Sequence, residues 1–298
     1  MRVDVYVPLV LAALLAVAGP GVGRVLAPAY AARALVVTGG VTAATSVWAL
    51  MLLGGTLLDD APPVMAEAQE NRLHIPEPVP EVIAVLAVAL LVCGAYRAYR
   101  VVRTHRCTLR TVQRLRATHP ADGELIVVTS ATPQAFALPG AVGRIVVTSA
   151  MLAGLDSRER RVLLAHERAH LRHRHDRLRL VADLAAAVVP VLVPLRETVA
   201  FLLERWADED AAETDAGRET TARAVARAAL LSHRSRLASA LHLSQLAVTR
   251  RVAALQAAPL PRTRLLAVAI LASAILPAVG AADATGDFLH FLSHALTP

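Results

Sequence analysis

Apolar and polar positions alternate along this chain on two scales. On the longer one, uncharged apolar runs occupy residues 5–22, 34–53, 82–96 and 265–282. A helix crosses bilayer hydrocarbon with roughly 20 apolar residues, so four transmembrane spans are expected. The third is short and can extend back through Val79; the first contains Pro8 and Pro20. The first run also reads as a cleavable signal peptide, because the small residues "AVAG" near residue 18 resemble a cleavage site.

On the shorter scale, "GELIVVTS" (123–130) and "GRIVVTSAML" (143–152) are β-branched runs, and "ATPQAFALPGAV" between them carries Pro and Gly turn signals. Two strands joined by a loop are predicted. "LDSRERRVLLAHERAHLR" then starts a helix, with Asp156 or Ser157 as N-cap and Glu159 adding negative charge to the first turn. Residues 184–195, "LAAAVVPVLVPL", are again uncharged. As a helix they reach about 18 Å against about 30 Å of hydrocarbon. They are expected to dip into the interface or pack against the spans, not to cross.

Charge turns these runs into a topology. The chain has 298 residues and a formal net charge of +7, with arginine as its only strongly basic residue. The arginines flank the apolar runs instead of forming one soluble patch, so nucleic-acid binding is not expected. Arg24 and Arg33 separate the first two runs. Asp59, Asp60, Glu67, Glu70 and Glu77, with Arg72, separate the second from the third. Arg97, Arg100, Arg103, Arg106, Arg110, Arg114 and Arg116 follow the third; Arg262 and Arg264 precede the fourth, and Asp283 and Asp287 follow it. The positive-inside rule then places residues 97–263 in the cytoplasm, with residues 54–80 and both termini outside. The expected organisation is a membrane domain (1–105), a cytoplasmic domain (106–260), and a fourth span with a short tail (261–298). Cys93 and Cys107 give no disulfide framework. The spans lack the buried ionisable residues that mark a transport pathway.

The chemistry lies in "VLLAHERAHLRHRHD" (162–176). On a helix His166 and His170, four apart, share a face and can present both imidazoles to one metal ion. Glu167 can reach a metal-bound water, whose pKa zinc lowers to about 7, and take its proton. A catalytic zinc commonly has three protein ligands and an open position. "FLLERWADEDAAETDAGR" (201–218) offers the third, Glu204, with Asp208 four residues on and able to orient a ligating histidine. The competing reading is an arginine-rich surface helix with incidental histidines, followed by an acidic solvated helix that takes in Glu209, Asp210 and Glu213.

The run from "PQAFALPGAVGRIVVTSAML" through "LDSRERRVLLAHERAHLRHRHD" to "LLERWADEDAA" resembles the integral-membrane gluzincin peptidases, most of all the BlaR/MecR-type antirepressor metallopeptidases. The HtpX-type membrane proteases have the same order of elements. The resemblance is strong over roughly residues 120 to 215 and looser for the four-span layout. It implies a multi-span α-helical protein of the bacterial plasma membrane with a cytoplasmic α+β zincin-like domain. It implies one zinc per chain on His166, His170 and Glu204, with Glu167 as the base. It also implies a protein substrate, such as a small winged-helix repressor, added as a strand along an edge near Gln134, Ala135 and Phe136. Phe136 and Leu138 are either substrate pockets or ordinary core. An HtpX-like quality-control protease and a zinc-binding scaffold without turnover are the alternatives.

The chain also departs from these families. They usually have an aspartate five residues after the second histidine; here His175 stands there and Asp176 follows. The HtpX-type group has a downstream His and Arg at the oxyanion, which "RRVAAL" (250–255) resembles only loosely, with His242 off the spacing. About 16 residues follow the last run, so a built-in penicillin-binding sensor is not expected.

Overall fold

The computed structural model describes residues 3–58, 80–118, 123–140, 143–214, 217–233, 241–261 and 263–296. The acidic segment from Asp59 to Glu77, on which half of the topology reading rests, lies outside the described residues.

The described residues are mostly helical, and among them four stretches are long and apolar enough to cross a membrane, the last running over Arg264–Asp283. Helices α1 (Val7–Val25), α2 (Pro28–Gly55) and α3 (Glu81–Thr118) come first. The central one is α2, which packs against α1 and α3 and buries small residues such as Ala31, Ala32, Gly39 and Ala43. Small side chains let backbones approach closely, as membrane helices do where no hydrophobic effect drives them together. Its buried hydroxyls find backbone partners: Thr38 donates to Ile270 (3.1 Å) and Ser46 to Pro8 (3.3 Å). Val17 and Val85, among others, face outward from the bundle, as lipid-facing positions would.

Two spans differ from the apolar runs. Helix α3 continues unbroken past residue 105, where the sequence suggested a domain limit. Its 38 residues reach about 57 Å, well beyond the bilayer's hydrocarbon. The fourth run is not one helix but two, α10 (Arg264–Ala272) and α11 (Ile275–Leu296). Pro277 accounts for the break: it has no N–H for the Ser273 carbonyl, and its ring would clash there.

Among the described residues between α3 and α10 are a small sheet and six α-helices. Strands β1 (Leu125–Val128), β2 (Ala135–Leu138) and β3 (Arg144–Thr148) are ordered β1-β3-β2. β1 is parallel to β3 and β2 antiparallel to it. The loop predicted between two strands therefore contains a third, and it is an edge. The run 143–152 also stops being a strand at Thr148, whose side chain caps helix α4 (Ser149–Gly154) by accepting from the Met151 N–H. The sheet alternates with period 2. Val146 faces Val112 on the tail of α3, while Ile145 and Val147 face Met151 and Leu155.

Helix α5 (Ser157–Arg172) starts at Asp156, in a capping box with Glu159. Helices α6 (His175–Val188) and α7 (Val193–Ala212) follow, joined by a short turn at Pro190–Leu192. Together they form a hairpin whose tip is the uncharged run 184–195. The run packs against the spans, and the prolines make the turn. Leu195 fills the space over Gly19 and Gly39, and Val188 lies against Gly94. Gly19 is five residues from Arg24 and Gly39 six from Arg33, so the tip reaches roughly 8 Å beyond the arginines. Helices α8 (Gly217–His233) and α9 (Leu241–Gln256) complete the domain.

Candidate metal centre

Two helices and one turn of a third build the site. On α5, His166 and His170 are one turn apart and their Nε2 atoms lie 3.1 Å from each other. From α7, Glu204 brings Oε2 to 3.6 Å from the Nε2 of His166 and Oε1 to 3.7 Å from that of His170. Donor atoms of all three lie within 4.8 Å of one another. Tetrahedral zinc bonds of about 2.0–2.1 Å separate two ligand atoms by about 3.3 Å, so these spacings suit a shared small cation. The donor set, two imidazoles and a carboxylate, is chemically suited to it.

Asp208 is one turn beyond Glu204 on α7, and its Oδ1 lies 3.1 Å from His166 Nδ1. It is almost fully buried. Arg251, from α9, holds it with both arms: Nε donates to Oδ2 (2.7 Å) and Nη2 to Oδ1 (2.6 Å). The third nitrogen, Nη1, lies 2.9 Å from Glu204 Oε2. One guanidinium thus fixes two carboxylates of the same helix face. On the other side, His170 Nδ1 lies 2.8 Å from Nδ1 of His175.

Glu167 is buried beside the histidines and accepts from the Ala137 N–H on the free edge of β2. Burial raises its pKa above the ordinary carboxylate value, in the direction that suits a proton acceptor working near neutrality. Asp208 is lowered: burial opposes this, but Arg251 and His166 outweigh it. Glu204 is lowered against the same burial by His166 and Arg251. Burial would also lower His166, yet Asp208 and Glu204 raise it to about 10. Burial and then the charge of His166 lower His170 to about 4; burial, His170 and His173 lower His175 to about 3.

A cavity of about 1050 Å³ opens onto this centre and is lined by His166, Glu167, Glu204 and Arg251. Its other walls are mainly apolar, from Met151, Phe201, Val225 and Val248 among others. Of the proposed substrate-strand residues, Ala135 lines it. Gln134 is tied to Thr148 through its backbone N–H and carbonyl. Phe136 is exposed and does not line the cavity, and Leu138 is core, packed with Val112 and Val146. Leu138 thus takes the core role of the two considered, while Phe136 lies exposed on β2, outside this cavity.

Two neighbours of the centre were weakly signalled by sequence. Arg251 stands in an Arg-Arg pair within an otherwise apolar stretch, with no short-range spacing to point it at Glu204. His175 is hidden in the repetitive "RHRH". Asp176 is only half-buried, and the His242 side chain lies outside the described residues.

The sequence profile of peptidase family M48 matches residues 99–269, more than half of the chain and every residue of the centre. No curated protein and no solved structure matches.

Proposed function

This chain belongs to peptidase family M48, a metallopeptidase family, and on that premise we propose that it is a membrane-embedded zinc endopeptidase. The carrying observation is the convergence of His166, His170 and Glu204 beside a buried Glu167. These three residues would hold the zinc, which supplies Lewis-acid polarisation of the scissile carbonyl and of an attacking water.

The remaining work falls to the chain. Glu167 accepts the proton of the attacking water and passes it to the leaving amine. The Ala137 N–H bond aims its carboxylate at the centre. Asp208 keeps the proton of His166 on Nδ1, so that Nε2 is the ligating atom. Arg251 prevents the two carboxylates from drifting apart and balances their charge. The substrate adds as a strand along the free edge of β2, around Gln134–Leu138, which brings its backbone past Glu167.

In this reading the domain is cytoplasmic, since arginines crowd the inner ends of the spans, and both termini are extracytoplasmic. The centre then lies near the inner membrane surface, because α7 also carries Leu195 into the bundle. The BlaR/MecR resemblance suggests a regulatory protease whose substrate is a transcriptional repressor.

Glu167→Gln keeps the side chain's size and removes its basicity. Zinc content should stay near one per chain while peptide hydrolysis falls by about 10²–10⁴-fold. Wild-type cleavage by this variant would refute the enzyme reading and leave a zinc-binding scaffold. Indiscriminate cleavage of misfolded membrane proteins by the wild type would replace the regulatory reading with quality control.

A further inference from the structure

The two histidines of the centre are backed differently. His166 faces a carboxylate, that of Asp208. His170 faces a second imidazole, His175, with the two Nδ1 atoms 2.8 Å apart.

The backbone is bent to place that imidazole. After α5 ends, Arg174 adopts φ 52° and ψ 48°, the only left-handed non-glycine among the described residues. Such a conformation costs a residue with a Cβ roughly 1–2 kcal/mol. The turn makes His175 the first residue of α6 and folds its ring back onto α5. There it is 3% exposed. It lies edge-on to His170 with ring centres 4.8 Å apart, and against Trp206 at the same centre distance. His173 stacks on Trp206 at 4.3 Å and is tied to Asp210 at 2.7 Å, while Arg33 covers Trp206 at 4.4 Å. The ring of His175 is therefore clamped and cannot readily turn away.

The hydrogen-bond roles follow from the centre's geometry. With His170 Nε2 directed at His166 and Glu204, the proton of His170 is on Nδ1. It is donated to His175 Nδ1, which accepts as a neutral imidazole. The proton of His175 is then on Nε2, a buried atom with no partner among the described residues. An unpaired buried donor costs about 1–3 kcal/mol, and such costs gather at functional sites. A residue selected for packing alone would be better served by phenylalanine, which has no donor to bury.

We propose that His175 is the positioning residue of His170, a neutral acceptor that fixes its tautomer and ring orientation so that Nε2 is presented to the cation. The proposal rests on the metal reading above. One ligand of the centre is thus backed by a carboxylate and the other by a neutral ring.

The test is zinc affinity of the purified full chain, by competition with a chromophoric chelator, with thermal unfolding of the metal-free protein alongside. His175→Phe keeps an aromatic ring and removes the acceptor. It should keep the metal-free stability and bind zinc about 10–100-fold more weakly. His175→Asn places its Oδ1 as many bonds from Cα as the Nδ1 it replaces, and should bind within about threefold of wild type, on the same scale. Wild-type affinity in His175→Phe overturns the inference and leaves the proposed function standing. Equal weakening in both variants also overturns it, because the acceptor would not be what matters. A wild-type chain that binds no zinc overturns the proposed function and this inference together.

Discussion

Helix α7 belongs to two regions held together in opposite ways. In its first half, Leu195, Val199 and Leu202 join α1 and α2 in an apolar cluster. Shape is decisive there: side chains enter spaces left by Gly19, Gly23 and Gly39. In its second half, Glu204 and Asp208 meet His166 and Arg251 in a buried network of charge. Such a network fails when one partner is removed, because the other charge remains buried and uncompensated. An apolar contact between glycine and leucine fails when an atom is added. The first region should therefore be sensitive to volume, and the second to chemistry and pH.

Of the ways to break the comparison, removal of a ligand should have the largest effect. Glu204→Ala leaves two imidazoles, below the three protein ligands usual for catalytic zinc. It should lose stoichiometric zinc and all measurable hydrolysis at low free zinc, with the helix content of the membrane bundle kept. Metal analysis after equilibrium dialysis, paired with circular dichroism, checks both halves. Full occupancy in this variant would mean that another group supplies the third ligand.

The charged region was partly legible in sequence because its spacings are local. Residues one turn apart share a helix face, so His166 with His170, and Glu204 with Asp208, could be paired by counting. Arg251 could not, since its approach depends on how α9 packs on α7. The apolar runs revealed the spans, but not the break before Pro277 or the continuation of α3 into the domain. β2 escaped the plain strand reading because it is only four residues long and sits between Pro133 and Pro139. It forms a strand because β3 pairs with it and Leu138 is buried, a tertiary effect that outweighs the turn signals. The resemblance to known peptidases identified it where periodicity did not.

A pH profile sharpens the comparison next. In metal-stripped protein, His170 and His175 are lowered to about 4 and about 3 from 6.5. Below pH 6.5 the unfolded chain binds protons that the folded one refuses, so stability falls as pH drops through this window. His166 is raised to about 10, so its contribution is complete below pH 6.5 and is lost as pH rises toward 10. The two limbs give an optimum near pH 6.5, each limb exceeding about 1 kcal/mol. Unfolding midpoints measured across pH test this. Asp208→Asn should weaken the alkaline limb, leaving the part that Glu204 supports; an unchanged limb would show that the Asp208–His166 pair does not contribute to it.

The smallest effect belongs to the region governed by shape. A Cβ on Gly39 would overlap Leu195, whereas one on Gly21 would meet nothing within 4 Å. Both glycines lie inside helices, where alanine is intrinsically better by roughly 0.5–1 kcal/mol. Gly21→Ala should therefore be neutral or slightly stabilising. Gly39→Ala gains the same propensity but forces Leu195 to move, and overpacking costs typically about 1–3 kcal/mol. It should come out net destabilising by about 1 kcal/mol, with zinc affinity unchanged because the charged half of α7 is a full turn or more away. Adding Leu195→Ala removes the overlapping atoms. The double variant should then show a favourable coupling between the two sites, read from thermal unfolding in detergent as a cycle of four proteins. If Gly39→Ala is as harmless as Gly21→Ala, Leu195 has room to move, and the close fit of the hairpin tip against α2 does not hold it in place. A loss of zinc affinity in Gly39→Ala would instead mean that the two halves of α7 are not independent, and that the position of the tip is felt at Glu204.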